Sequence, residues 1–477
     1  MTTPLHHEAR PRALALELTK GCNLRCGYCY YGTREAAYDP STSMSLETAQ
    51  RAVDRLFDDA THGEIPHLHL FGGEPLLNFP LVSATVEYAA SQARRRSTGM
   101  TFELTTNGTL LTPSIGEFLN KHGVSVGISF DGPSEIQDVT RPAPSGRGSH
   151  AQAEPRIKEF LASRVGTPLL ARTHASVVLS RRFPKIREIV TYMESLGFTK
   201  VVVSPATDSG PDGFRAEDIP TLVEAFDDAA KDWHARKKAG QSPLYAHFED
   251  LSRRALSGTR KTSPCGGGRD YLGVSADGSV YLCYRFFEDA EFKMGSLKDG
   301  ISTAVTERLD ATTVDHRTDC RSCWARHYCG GNCHHDNLKA TGDAATPNPV
   351  HCEVFRHTMG LTLEMLADLE SRGLGGGVPP SPYMNDPPLP TAAWKPLAAS
   401  DLHRRPIGDE LLVYHPTTHA VVNLNATACA ILALCDGSRD VPSLVAELMK
   451  TFAAPEELLL KETEILLYDL QRKGVVS

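Results

Sequence analysis

Short apolar runs alternate with segments of helical periodicity over the first two hundred residues. Six runs rich in β-branched and aliphatic residues predict strands: 13–18, 67–71, 101–105, 124–130, 173–179 and 200–204. The segments between them carry apolar residues three and four apart, as in 45–60, where Ser45 is placed to cap a helix. One face of that helix is predicted to be apolar, with Leu46, Ala49, Val53, Leu56 and Phe57. Strands alternating with helices predict a parallel sheet of βαβ units.

Four distinctive sequences each follow one of these strands directly. They are 20–31 (K-G-C-N-L-R-C-G-Y-C-Y-Y), Gly72-Gly73-Glu74-Pro75, Thr106-Asn107-Gly108 and Asp131-Gly132-Pro133. A Gly-Gly-Glu-Pro sequence alone also fits an ordinary turn. In parallel α/β folds, however, the carboxyl ends of the strands meet at one edge, where ligands bind. We therefore expect the four sequences to form a single site.

Composition narrows the class of protein. The 477 residues are 41% hydrophobic and 23% charged, which predicts two or three packed domains. No apolar run is long enough to span a bilayer and the first residues do not resemble an export signal, so we expect a cytoplasmic protein with no membrane partner. Twelve cysteines in that compartment indicate metal or catalytic thiols. The net charge of −8 argues against nucleic acid as a partner.

Three of these thiols, Cys22, Cys26 and Cys29, lie within eight residues. Three thiolates can hold three irons of a cubane cluster and leave the fourth iron open, whereas a structural zinc site takes four protein ligands. Spacing alone does not exclude a zinc knuckle. An open iron would indicate catalysis.

The Cys-x3-Cys-x2-Cys spacing, with Tyr28 before the third cysteine, resembles the signature of radical S-adenosylmethionine (SAM) enzymes. The resemblance implies that SAM binds the open iron and is cleaved reductively to methionine and a 5′-deoxyadenosyl radical. It implies a partial (β/α)6 barrel over 1–240. It also implies that the second motif pairs its backbone with the ammonium group of SAM, that Tyr28 lies near the adenine, and that further residues contact ribose or carboxylate. The candidate cofactor-binding residues are Tyr28, Gly72, Gly73, Glu74, Asn107, Ser129 and Arg141.

Seven more cysteines follow: Cys265, Cys283, Cys320, Cys323, Cys329, Cys333 and Cys352. Neither zinc pairs nor two thiolate-saturated cubanes take seven ligands. The spacing resembles the SPASM extension of peptide-modifying radical SAM enzymes, which implies two auxiliary [4Fe-4S] clusters within 241–370, and three clusters in all. One would use Cys265, Cys283 and Cys333, and the other Cys320, Cys323, Cys329 and Cys352. The first then has an open iron, available to a substrate thiolate or filled by another side chain or water.

The residue after Cys283 is Tyr284, where sulfatase-activating relatives have an aspartate that acts as base. That activity is therefore not expected. Tyr284, Glu288 and Asp289 lie near in sequence, but the two acids fit exposed turn positions, so the catalytic base remains unidentified.

A Gly- and Pro-rich linker, 371–399, precedes a small winged-helix-like α+β domain, 400–477. It is predicted to hold a hairpin, 410–415 and 419–424, and helices over 426–435, 441–452 and 455–473. A winged helix often binds DNA, but 401–477 holds seven Lys or Arg against eleven Asp or Glu. The sequence V-V-N-L-N-A-T-A-C-A-I-L-A-L-C-D-G resembles PqqD-type precursor-recognition elements, which implies binding of a leader strand at a sheet edge.

Together these features predict an enzyme that forms intrapeptide crosslinks in a ribosomal precursor peptide or a small protein subunit, recognised through a leader segment. Sulfur-to-carbon thioether bonds are favoured, and length and domain fusion resemble the maturases of quinohaemoprotein amine dehydrogenase. Carbon–carbon or carbon–oxygen crosslinking is the alternative, and a non-catalytic iron–sulfur regulator is the alternative of another class. An electron donor such as flavodoxin or ferredoxin is the expected redox partner.

Overall fold

A computed structural model describes most of the chain. The described residues are 11–31, 39–59, 65–207, 210–242, 244–258, 260–374, 394–407, 410–416, 421–452, 454–472 and 475–476. The chain divides into two compact units, 1–385 and 386–477. Most of the linker predicted over 371–399 lies outside the described residues.

Strands and helices alternate through the first two hundred residues, as the periodicity predicted. The strands are β1 (Ala13–Glu17), β2 (His67–Phe71), β3 (Thr101–Thr106), β4 (Ser125–Ser129), β5 (Thr173–Leu179) and β6 (Val201–Pro205). The helices are α1 (Leu46–Asp59), α2 (Phe79–Arg95), α3 (Pro113–Lys121), α4 (Ser134–Thr140), α5 (His150–Ala162), α6 (Pro168–Ala171) and α7 (Ile186–Leu196). All six predicted strands are therefore confirmed within one or two residues.

Helix α1 shows how the local sequence sets an element. The Ser45 hydroxyl accepts a hydrogen bond from the Thr48 backbone N–H at 3.0 Å, which satisfies one free donor at the start of the helix. The buried face carries Ala49, Val53, Leu56 and Phe57 as predicted. Leu46 was wrongly placed on that face: it stands at the first position of α1 and is 42% exposed.

The middle of the chain extends the same sheet, which the sequence analysis did not predict. Its elements are α8 (Ile219–Lys238), α9 (Ala246–Leu256), β7 (Tyr271–Val274), β8 (Ser279–Tyr281), β9 (Lys293–Ser296), β10 (Gly300–Ile301), α10 (Ala304–Asp310), α11 (Thr318–Arg321), α12 (Arg326–Cys329), α13 (His334–Thr341) and α14 (Pro349–Ser371). The sheet has ten strands in the order β10-β9-β8-β7-β1-β2-β3-β4-β5-β6. Strand β7 runs parallel to β1, with Ala13 opposite Tyr271. The sheet therefore continues across the domain boundary that we placed at 240.

The second unit contains β11 (His403–Ile407), β12 (Glu410–Tyr414), β13 (Val421–Leu424), α15 (Ala426–Leu434), α16 (Val441–Leu448) and α17 (Glu456–Arg472). Strands β12 and β13 form the predicted hairpin, and β11 adds a third antiparallel strand that the prediction missed. Residues 417 and 418 of the predicted turn, and the first two residues of the predicted strand 419–424, lie outside the described residues. Within the described part of the chain, no helix combines the length and apolarity needed to cross a bilayer.

Candidate active site

The four strand-end sequences converge, and backbone hydrogen bonds join the first two. The backbone N–H of Gly73 donates to the Thr19 carbonyl, and that of Glu74 to the Gly21 carbonyl, each at 2.9 Å. A Cβ on Gly72 would lie 2.4 Å from the Thr19 carbonyl oxygen, and one on Gly73 would lie 2.2 Å from the Gly21 oxygen. The two glycines therefore allow this loop to pack directly on the segment that leads into Cys22.

Glu74 connects the second sequence to the third. Its buried carboxylate accepts hydrogen bonds from the Leu76 N–H at 3.0 Å, the Thr106 hydroxyl at 2.8 Å and the Asn107 N–H at 2.7 Å. Burial raises the pKa of Glu74 to about 7, although these hydrogen bonds oppose the shift. The Asn107 side-chain NH2 group in turn donates to Oδ1 of the Asn23 side chain at 2.8 Å, inside the thiol loop. Asn107 thus supports the thiol loop from β3.

At the end of β4, the Asp131 carboxylate contacts several of the candidate residues. Its carboxylate accepts hydrogen bonds from the Tyr28 hydroxyl and, at 2.7 Å, from the Thr140 hydroxyl. Arg141 Nε lies 3.0 Å from the same carboxylate, and Arg141 Nη1 lies 3.8 Å from Cys26 Sγ. The Arg141 guanidinium also covers the Tyr28 ring at 5.3 Å. Asp131 was not among the predicted residues, although the Asp-Gly-Pro sequence after a strand marked the position.

Ser129, the remaining candidate, is the last residue of β4 and lies opposite Ser176 of β5. Its side chain is half-buried. The structure thus places Ser129 at the same sheet edge as the other candidates.

The first three thiols lie together in the loop that these contacts fix. Cys22 and Cys26 are half-buried and Cys29 is exposed. Burial, assisted by the neighbouring thiols, raises the pKa of Cys22 to about 11 and that of Cys26 to about 12. Thiols with such high pKa values are deprotonated at neutral pH only when a cation such as iron binds the sulfur in place of the proton. The donor set therefore fits an iron–sulfur cluster.

The seven later thiols form two sets. Cys283 lies within electrostatic range of Cys333 and Cys265. The other set brings together Cys320, Cys323, Cys329 and Cys352. These are the two sets that the SPASM resemblance implied.

Within the described residues, no three His, Cys, Asp or Glu side chains are close enough to share a single metal ion. Thiolates of a cubane each bind a different iron and are held apart by the cluster.

Polar side chains surround the three-thiol auxiliary set. Arg285 Nη1 donates to Cys333 Sγ at 3.4 Å and lies 2.9 Å from Asp336. Asp336 also accepts a hydrogen bond from the Thr207 hydroxyl at 2.9 Å. The carboxylate is therefore engaged by Arg285 and Thr207.

The two acids considered near Cys283 have structural contacts. Asp289 caps a short helical turn by accepting from the Glu291 N–H at 3.1 Å. Glu288 pairs with Lys20 at the start of the thiol loop. Glu288 therefore ties the Cys283 loop to the first thiol loop.

An aromatic layer lies between the first thiol loop and the three-thiol auxiliary set. Tyr30 stacks on Tyr31 with centroids 4.8 Å apart, and it lies within electrostatic range of both Cys29 and Cys283. The layer continues through Phe71, Tyr284, Phe287 and His335. Sequence spacing gave no signal for this layer, because its members come from four separate segments.

A titratable network lies on the inner face of β2, β3 and β5. His69 Nε2 and the Thr105 hydroxyl are 2.8 Å apart, and His67 Nε2 lies 3.5 Å from the Glu103 carboxylate. Burial tends to raise the pKa of Glu103, but the imidazoles of His69, His67 and His174 outweigh it and lower the pKa to about 2. With so low a pKa, Glu103 stays negatively charged at neutral pH within electrostatic range of Tyr284 in the aromatic layer.

Comparisons with known proteins agree with this geometry. Residues 16–165 match the Radical SAM superfamily, 265–333 match the SPASM iron–sulfur cluster-binding domain, and 410–476 match coenzyme PQQ synthesis protein D (PqqD). Cys352 lies beyond the SPASM match. These domains imply SAM and iron–sulfur clusters as cofactors.

Two named relatives have maturase or synthase activity. The cysteine-type anaerobic sulfatase-maturating enzyme of Clostridium novyi is 24% identical over 362 residues, covering 71% of this chain and 91% of the relative. The radical SAM cyclopropyl synthase TigE of Paramaledivibacter caminithermalis is 29% identical over 139 residues, covering 27% of this chain and 29% of TigE.

Solved structures share the fold. Native anSMEcpe with bound AdoMet has a TM-score of 0.63 at 19% identity, covering 75% of this chain and 99% of that chain. Streptococcus suis SuiB bound to precursor peptide SuiA has a TM-score of 0.51 at 14% identity, covering 72% and 76%. Along the sequence the chain therefore carries, in turn, a radical SAM domain, a SPASM domain and a PqqD domain.

Proposed function

We propose that this protein is a radical SAM maturase that forms crosslinks within a ribosomally made peptide or small protein subunit, with thioether bonds from cysteine sulfur to carbon. The observation that carries the proposal is the auxiliary set of Cys265, Cys283 and Cys333, which supplies three thiols for a four-iron cluster. A fourth iron without a cysteine could take a substrate thiolate. The relatives that mature proteins and the SuiB structure with its precursor peptide support a peptide substrate.

The first thiol set and the three-thiol auxiliary set lie on either side of the aromatic layer, and the proposed reaction is divided between these two sides. When bound, SAM and a cluster on Cys22, Cys26 and Cys29 supply hydrogen-atom abstraction. Formation of one carbon–sulfur bond removes one hydrogen from carbon and one from sulfur, so two electrons leave the substrate. One would leave with the abstracted hydrogen atom, and the thiol would release its proton to solvent. A cluster held by Cys265, Cys283 and Cys333 would supply an acceptor for the other electron, with a carrier such as flavodoxin or ferredoxin as its outlet. Tyr30 and Tyr284 exclude water between the two sides.

Tyr284 also separates this protein from the sulfatase-maturating relatives. Its phenol follows Cys283, and burial raises its pKa well above the ordinary value for tyrosine. A group that holds its proton this strongly is a poor base at neutral pH. This supports crosslinking over sulfatase activation.

The PqqD domain would recognise the leader segment by adding it as a strand. Its three-stranded sheet has the order β11-β12-β13, so β11 and β13 are the two edges. Strand β11 contains Pro406, whose nitrogen cannot donate a hydrogen bond, whereas Val421–Leu424 contains no proline. This favours β13 as the docking edge.

Mass spectrometry and thiol alkylation test the proposal. Protein reconstituted anaerobically with iron and sulfide is given SAM, a reductant and a candidate precursor peptide chosen from the reading frames that neighbour its gene. Each crosslink should lower the product mass by two hydrogens, and a thioether should remove a thiol from alkylation. A crosslinked product whose thiols all remain alkylatable would favour carbon–carbon or carbon–oxygen bonds. Absence of 5′-deoxyadenosine would favour the non-catalytic regulator.

A further inference from the structure

The side chain of Asp212, in the loop after β6, is held firmly from one side. Its Oδ1 accepts hydrogen bonds from the Ser180 hydroxyl at 2.5 Å and from Arg182 Nε and Nη2 at 2.9 and 2.6 Å. Its backbone carbonyl accepts from the Arg181 N–H at 2.9 Å. Asp212 is fully buried, at 0% exposed. The loop after β5 therefore fixes the carboxylate in one orientation.

The second carboxylate oxygen faces the thiol loop. Among the described residues, Oδ2 of Asp212 is buried and has no hydrogen-bond partner. A Cβ built on Gly27 would lie only 2.4 Å from this oxygen. Oδ2 is thus directed at the backbone between Cys26 and Tyr28, and the absence of a side chain at Gly27 permits its approach. A buried carboxylate oxygen without a donor is unfavourable unless a ligand supplies one.

Other carboxylates around the same mouth already have donors. Glu74 accepts from two backbone N–H groups and a hydroxyl, and Asp131 accepts from two hydroxyls beside Arg141. Asp212 differs because every hydrogen bond that its side chain accepts from a described residue ends on Oδ1. Its remaining oxygen is an acceptor at the carboxyl ends of β5 and β6, where ligands of parallel sheets bind.

We propose that Asp212 binds S-adenosylmethionine, with Oδ2 accepting a hydrogen bond from an N–H or O–H group of the cofactor. The inference rests on the proposed function and adds a cofactor-binding residue that no sequence motif marks. The chemistry of the two partners is complementary, because SAM carries amino and hydroxyl donors and a positive sulfonium. A hydrogen bond to a buried carboxylate is stronger than one between neutral groups.

Equilibrium dialysis of labelled SAM against the reconstituted protein, without reductant, tests the inference separately from turnover. Asp212→Asn keeps the size of the side chain but removes the charge and replaces one acceptor oxygen with an NH2 group. We expect SAM to bind about tenfold more weakly or worse, the effect of losing one charged hydrogen bond. Ser180→Ala is the matched control, since it removes a contact to Oδ1 and leaves Oδ2 in place. Its SAM affinity should stay within about twofold of wild type.

Unchanged SAM affinity in Asp212→Asn would overturn the inference, and so would equal weakening in both variants, which would report on the loop as a whole. If thermal melting shows that Asp212→Asn does not fold, hydrogen exchange on the wild-type protein decides. SAM should then slow exchange in 210–214, and lack of that protection overturns the assignment. A wild-type protein that binds no SAM would instead refute the proposed function.

Discussion

The first thiol set and the four-thiol auxiliary set differ in how the protein holds them. Cys22, Cys26 and Cys29 occupy a single loop, which backbone hydrogen bonds from Gly73 and Glu74 fix in place. Cys320, Cys323 and Cys329 lie on or between two helices of four residues each, α11 and α12, while Cys352 lies in the first turn of α14. Helices this short have little stability of their own. Protein contacts therefore define the catalytic loop, whereas the metal is expected to hold the auxiliary segment together.

Removing the first set should have the largest effect. Replacing Cys22, Cys26 and Cys29 with Ala should abolish SAM cleavage and leave about eight of about twelve irons per chain, because the auxiliary thiols retain their own clusters. Iron analysis and chromatography of 5′-deoxyadenosine measure the two outcomes. Cys429→Ala, in the second unit, is the control and should keep all the iron. 5′-Deoxyadenosine production by the triple variant would refute the assignment of Cys22, Cys26 and Cys29 to the cluster that cleaves SAM. A wild-type content near four irons per chain would mean that the auxiliary clusters are absent.

Replacing a thiol of the three-thiol set should separate the two steps. Cys265→Ala and Cys283→Ala should still cleave SAM, because the first loop is intact, but should yield no crosslinked peptide. Product mass and 5′-deoxyadenosine are measured in the same reaction. If both fall in proportion in a folded variant, the auxiliary clusters would instead supply electrons to the first cluster.

Chelation of iron tests the comparison most directly. Amide hydrogen exchange should accelerate by about a hundredfold or more in 318–333, because its two helices are short and its only local core is a small apolar cluster around Ala325 among the described residues. The N–H groups of Gly73 and Glu74 should change by less than about tenfold, since their acceptors are backbone carbonyls. Equal acceleration in both regions would show that the first loop also depends on its cluster.

Proline substitutions in β13 should affect substrate capture and leave SAM chemistry intact. Val421→Pro or Val422→Pro should weaken leader binding by about tenfold, with the larger effect at the residue whose N–H points outward. Calorimetry with a leader peptide measures this, and turnover of the full precursor should partly recover at high concentration. Val422 is buried, so melting must show that its variant folds. Unchanged leader affinity after deletion of 398–477 would refute the recognition role.

Glu74→Gln should produce the smallest effect. The glutamine amide would place its NH2 group against one of the three groups that donate hydrogen bonds to the Glu74 carboxylate. This should lower the free energy of unfolding by about 1–3 kcal/mol. Thermal or chemical denaturation measures it. Glu87→Gln, at an exposed position of α2, is the control and should be neutral. If Glu74→Gln left the free energy of unfolding unchanged, the link between the ends of β2 and β3 would contribute little to stability.

The sequence predicted what depends on local periodicity and on spacing. It gave the six strands, the four strand-end motifs and the grouping of the later thiols, the last through resemblance to the SPASM extension. It did not give β7–β10, whose two- to four-residue strands are too short for a periodic signal. It also missed Asp131 and Asp212, because the roles of these carboxylates come from partners distant in the chain. Tertiary contacts, rather than motifs, determine those positions.

The position of β1 at the middle of the sheet has a consequence for synthesis of the chain. One edge of β1 pairs with β2 early, but the other waits for β7, about 250 residues later. At ribosomal rates of about 5–20 residues per second, that edge stays unpaired for roughly 10–50 seconds. The buried residues Leu14, Leu16 and Leu18 belong to this strand and its end, so nascent chains expose an aggregation-prone edge during the interval. The first thiol loop, however, is already complete, and it can receive its cluster before the auxiliary thiols have been made.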